Sequence, residues 1–192
     1  NQNSINNHTI PIYSLLCKNP EAYHMNIRWN LCDQIKEVNK SYNEQLEKYL
    51  KESNNIILSG EGIPLLEKDA LSKLVEKIKS FDYKLHIFAL VRDPYSMYCS
   101  DLQQSIKSGQ YRNLISLADT LPNFVDRHSG LRHQILNRLK SIFSENVHFY
   151  NFRNACKHDY GPVGFLIDNY LKLDPSLFKY FKINESLYNL TI

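Results

Sequence analysis

The chain has 192 residues, 43% of them hydrophobic and 22% charged, with a formal net charge of +3. That is an ordinary composition for a globular protein; it excludes a largely disordered chain and suffices for one domain with a proper core. No run approaches the ~20 apolar residues that cross a bilayer, no secretory leader is visible, and the scattered Lys and Arg leave no electrostatic footprint for nucleic acid.

In chain order, the polar opening Asn1–Asn7 is expected to be loose, and Ile10 to Leu16, interrupted by Pro11, is expected to form a short extended piece or turn. From Leu31 to Leu50 the apolar residues Leu31, Ile35, Val38, Tyr42, Leu46, Tyr49 and Leu50 recur at steps of three and four, the pattern of a long amphipathic helix. Asn55–Ser59 reads as a buried strand running into the loop Ser59-Gly60-Glu61-Gly62. A helix with Leu66, Ala70, Leu71, Leu74, Val75 and Ile78 inside follows. Leu85 to Val91, the most apolar stretch, predicts a central parallel strand covered on both faces. Asp93 then caps a helix with Pro94 in its first turn, running to about Ser108 and stopping at Gly109. Leu131, Ile135, Leu136, Leu139, Ile142 and Phe143 mark another helix; Val147–Tyr150 reads as a strand, and Val163–Leu173 as a last helix. Alternating strands and helices argue for an α/β fold with a mainly parallel sheet, whose ligands sit beyond the carboxyl ends of the strands. The loops Gly60–Pro64, Arg92–Tyr95 and Asn151–Asn154 qualify by that rule. Cys17, Cys32, Cys99 and Cys156 share no close spacing and form no CxxC pair. Such usage is expected of reduced thiols in a cytoplasmic protein, not of a disulfide framework or a metal site.

Arg92 follows the apolar strand and precedes the capped helix, which makes it a candidate anion-binding cation; Ser100 lies eight residues on. By itself, an arginine at a helix start pairs as readily with Asp93 or with water. The run Val91-Arg92-Asp93-Pro94-Tyr95-Ser96-Met97-Tyr98-Cys99-Ser100 resembles the 3′-phosphate-binding motif of sulfotransferases. The continuation Asp101 to Gly109, the segment Ile56-Ile57-Leu58-Ser59-Gly60-Glu61 and the closing Asn184-Glu185-Ser186-Leu187 are similar to bacterial members that act on surface carbohydrates. The resemblance implies a single domain over 1–192 with a three-layer P-loop-type fold, a mainly parallel central sheet flanked by helices. It implies transfer of a sulfuryl group from 3′-phosphoadenosine 5′-phosphosulfate to a carbohydrate or glycolipid hydroxyl, without a metal. It also implies that Arg92 and Ser100 bind the 3′-phosphate of the cofactor and of its product, adenosine 3′,5′-bisphosphate.

None of the six glycines forms the Gly-rich phosphate loop that the family carries after its first strand. Because position 1 is Asn, the expectation is that an upstream strand and loop precede this sequence; a degenerate, non-catalytic nucleotide-binding or assembly module is the alternative. A P-loop kinase-like phosphotransferase would use a strand-end Asp for Mg²⁺, and no Asp follows Leu58 or Val91 directly. For the base that takes the acceptor proton there are two candidates: His8, which falls near the segment where related sulfotransferases place a His or Glu base, and Glu61, in the loop at an expected strand's carboxyl end; a loose terminal residue and a turn carboxylate are the plainer readings of each. Tyr23, His24 and Arg28 could line an acceptor groove or a half-exposed helix face. Arg127, His128, Arg132 and His133 form a local basic cluster that meets an anion or simply solvent. Self-association into a homo-oligomer is compatible with the same reading.

Overall fold

The computed structural model describes residues 7–107, 109 and 114–180, and the side chains of all of these except 114–128. The chain divides into two compact units: Asn1–His86 with Arg138–Ser144, and Ile87–Asn137 with Glu145–Ile192.

The first unit is helical: α1 Thr9–Leu16, α2 His24–Arg28, α3 Ile35–Glu52 and α4 Lys68–Lys79. α1 corrects the expectation of an extended piece at Ile10–Leu16. Pro11 is its third residue, inside the first turn, where a missing N–H breaks no helical bond. Asn7 Oδ1 meanwhile accepts the Thr9 N–H at 3.0 Å. α3 and α4 follow the predicted periodicity, burying Ile35, Leu46 and Leu50 on one and Leu71, Leu74, Val75 and Ile78 on the other. α1 packs on both. Leu139 and Phe143 add to the unit's buried residues, and Arg138 Nη1 donates to the Leu66 carbonyl at 2.7 Å. A buried polar net runs through the same core. Asn26 Nδ2 donates to Ser14 Oγ and to the Pro20 carbonyl, both at 2.8 Å, and Ser14 Oγ donates to Asn39 Oδ1 at 2.7 Å. The strand expected over Asn55–Ser59 is absent. The segment has no ladder partner among the described residues, Ile57 is 60% exposed, and Ser59 spends its backbone groups on His8.

The second unit has a β-α-β core. β1 Ile87–Val91 pairs in parallel with β2 Val147–Asn151, in register from Ile87 opposite Val147 to Val91 opposite Asn151. Between them run α5 Pro94–Lys107 and α6 Leu114–Phe143; after them come α7 Phe152–Ala155 and α8 Gly161–Asn169. The parallel pairing is as expected and makes the protein a mixed α/β one. β1 departs from the expectation in one respect. Among the described residues the sheet has two strands, so β1 has a single partner, and all five of its residues are half-buried instead of sealed on both faces. α6 begins well before the expected Leu131. α8 ends at Asn169 instead of reaching Leu173, and Lys172 takes a left-handed φ of 57° just beyond it. α5 ends as predicted, with Gly109 at φ 75° and its N–H on the Ile106 carbonyl. Phe88, Tyr150, Phe165 and Tyr170 form an aromatic cluster with ring centroids 5.3–5.6 Å apart.

Candidate functional site

The parallel register places the chain ends after β1 and β2 side by side. Val91 is opposite Asn151, so Arg92 and Phe152 leave the sheet at the same level. The Arg92 guanidinium lies over the Phe152 ring, 4.0 Å from its centroid. A cation held on an aromatic face keeps its N–H edges outward and pre-oriented. Asp93 caps α5: its Oδ1 accepts the Ser96 N–H at 2.8 Å and its other oxygen takes the Ser96 hydroxyl. These bonds from Ser96, with a smaller contribution from the nearby Arg132 charge, hold the Asp93 carboxyl below its usual range. Ser100 is exposed on α5. Positions 93, 96, 97 and 100 are spaced so that they share one face of the helix start.

Arg132, from α6, lies against that same face. One of its terminal nitrogens points at the Met97 sulfur; the other, Nη1, is buried with no hydrogen-bond partner. Burial pulls its pKa down, the Asp93 charge opposes that, and the Arg92 charge adds to it. The Cys156 thiol is pushed up by burial and pulled back by Arg92. Arg92, Arg132 and Asp93 thus form one charge cluster at the carboxyl edge of the sheet. Of the basic group read from sequence, His133 is exposed, and the side chains of Arg127 and His128 lie outside the described residues. So does Asn184–Leu187.

The base candidates belong to the first unit, and there the structure brings them together. His8 N–H donates to the Ser59 carbonyl at 3.1 Å, the Ser59 N–H donates to His8 Nδ1 at 2.9 Å, and the Gly62 N–H donates to Thr9 Oγ1 at 3.0 Å. The residue before α1 and its first residue are therefore locked onto the loop that carries Glu61, whose side chain is exposed. Both flanking glycines are needed for this approach. A Cβ at Gly60 would sit 2.5 Å from Thr9 Oγ1 and 2.6 Å from its backbone nitrogen, and one at Gly62 would collide with the Thr9 methyl. The Ser-Gly-Glu-Gly sequence is thus a packing requirement as much as a turn.

Tyr23 and His24 line a cleft of about 460 Å³ in the first unit, with Tyr13, Lys18, Glu67 and Asp69. Tyr23 is itself buried, its ring 4.8 Å from those of Tyr13 and His24. Arg28 is not among the residues lining that cleft. Sequence reasoning missed Phe152 as the support of Arg92, because strand register is invisible in a sequence. It also could not single out Arg132 from its basic neighbours.

Among the described residues there is no group of three or more His, Cys, Asp or Glu that could hold a metal ion, and no helix long and apolar enough to cross a membrane. Compared with known proteins, the chain matches no family model, no curated protein and no solved structure.

Proposed function

We propose that this protein is a sulfotransferase of the three-layer P-loop type, taking a sulfuryl group from 3′-phosphoadenosine 5′-phosphosulfate to a carbohydrate hydroxyl. The observation that carries the reading is Arg92. It stands at the carboxyl end of a parallel strand, directly before a capped helix with Ser100 in its second turn, where the resembling motif needs its 3′-phosphate ligand. The residues present fit such a group: the Arg92 fork is held by the Phe152 ring, and a neighbouring buried guanidinium nitrogen lacks a partner.

The cofactor, when bound, supplies a sulfur centre that an acceptor oxygen attacks as the bond to the 5′-phosphate breaks. The acceptor proton must then go to a base. The bond from Ser59 favours Glu61 for that role. A backbone N–H can only donate, so His8 Nδ1 is an acceptor and a neutral His8 ring carries its proton on Nε2. An Nε2 that already holds a proton can donate to an acceptor oxygen but cannot relieve it of one. His8 then orders the loop, and the exposed Glu61 carboxylate takes the proton. The Tyr13, Tyr23 and His24 rings with Lys18, Glu67 and Asp69 give the first unit a cleft of mixed aromatic and charged lining, which suits a polar sugar.

Calorimetric titration with adenosine 3′,5′-bisphosphate tests the reading. The protein is expected to bind it, and Arg92→Ala to bind about 10- to 100-fold more weakly, the loss of one charge-assisted contact of roughly 1.5–3 kcal/mol. Equal affinities for the two proteins would remove Arg92 from the site.

A further inference from the structure

Arg132 makes no sense as a surface cation. Its residue is only half-exposed, its Nη1 is buried and unpartnered, and its Nη2 faces a thioether, a weak acceptor. A second guanidinium, Arg92, acts on it at close enough range to oppose its charge. The carboxylate at hand, Asp93, is already committed to the hydroxyl and N–H of Ser96. Among the described side chains, two positive charges and one spoken-for negative charge therefore share a partly desolvated corner, an arrangement that costs free energy until an anion completes it. The geometry also has a direction. Arg132 is anchored at Met97, and Ser100 is three residues further along the same face of α5.

Resting on the function proposed above, we infer that Arg132 is a third ligand of the nucleotide's 3′-phosphate, completing a cradle with Arg92 and Ser100. A dianionic phosphate presents three terminal oxygens, enough for both arginine forks and the serine hydroxyl. An adenosine nucleotide without a 3′-phosphate offers nothing to this corner. Arg132 is thus a specificity determinant for 3′-phosphorylated nucleotides.

The test is calorimetric titration of wild type, Arg132→Gln and Arg92→Ala with adenosine 3′,5′-bisphosphate and, separately, with adenosine 5′-monophosphate. Arg132→Gln is expected to weaken the bisphosphate about 10-fold or more and the monophosphate less than about 2-fold, so that the ratio of the two affinities collapses. Should Arg132→Gln fail to fold, as judged by circular dichroism, Arg132→Lys carries the test. It keeps the charge but loses the fork, and the same ratio is expected to fall by a smaller factor. If the Arg132 variants bind both nucleotides like wild type while Arg92→Ala is impaired, Arg132 merely balances Asp93. The inference then fails while the proposed function stands. Equal weakening toward both nucleotides also overturns it, placing Arg132 against another part of the ligand. A wild-type protein that ignores the bisphosphate overturns the functional reading and this inference together.

Discussion

At the scale of single residues, the first unit shows how one backbone hydrogen bond sorts two candidates for one role. On sequence grounds position favours His8, just before the first apolar piece, over Glu61, in the loop after an expected strand. The Ser59 N–H on His8 Nδ1 separates them by dictating where the imidazole proton resides. The consequence can be tested with isosteric variants. Asparagine offers Oδ1 close to where histidine offers Nδ1, so His8→Asn should keep the loop in place and retain most of the turnover. Glu61→Gln should lower turnover by ~10²–10⁴-fold while leaving the affinity for adenosine 3′,5′-bisphosphate unchanged, because the base acts on the acceptor and not on the 3′-phosphate. Turnover measured with labelled cofactor and candidate glycans separates the outcomes. Loss of activity in His8→Asn with normal activity in Glu61→Gln would reverse the assignment.

At the scale of elements, the two glycine classes in this chain do different work. Gly60 is closed in by the backbone of Thr9, so a methyl group there must push α1 away from the loop. Gly109 has nothing within 4 Å and matters only for its φ of 75° at the end of α5. Gly60→Ala is accordingly expected to cost about 1–3 kcal/mol through overpacking, and to loosen the loop that carries Glu61. Gly109→Ala is expected to cost ~1 kcal/mol through backbone strain alone. Urea unfolding midpoints of the two variants give the comparison; a milder effect at Gly60 than at Gly109 would mean that the α1–loop interlock is not rigid. Helix patterns were the most legible part of the sequence. α3 and α4 bury residues read from their spacing because a 3.6-residue period is a local property. The misread elements failed for nonlocal reasons. Pro11 reads as a breaker, but its place in the first turn makes it harmless, and the Ile-Ile-Leu run at 56–58 reads as a strand, but it finds no neighbouring strand among the described residues and the Ser59 backbone after it bonds His8.

At the scale of the whole molecule, three carboxylates among the described residues are held below their ordinary pKa values by their folded partners. These are Glu47 by Lys77 and Asn43, Asp93 by Ser96, and Asp174 by the hydroxyl and N–H of Ser176. A depressed carboxylate stabilises the fold fully above its unfolded value, near 3.8 for Asp and 4.5 for Glu, and the contribution is lost as the pH drops through the lower folded value. Thermal melts should therefore be level from about pH 7 to about pH 5 and fall below about pH 4, and Asp93→Asn should reduce that acid slope. Melting temperatures that rise on acidification would contradict the pairings. The α/β character, the helix faces, the capped helix after Val91 and Arg92 as the cation at the strand's end are legible along the chain, because periodicity and capping act over a few residues. That Phe152 supports Arg92, that Arg132 lies against the same helix start and that His8 is locked to Ser59 follows from folding alone. Each of those depends on the register of β1 with β2, or on the docking of α6 or α1, and the contacts involved join residues far apart in the chain: Arg92 to Phe152, Arg132 to Met97 and His8 to Ser59.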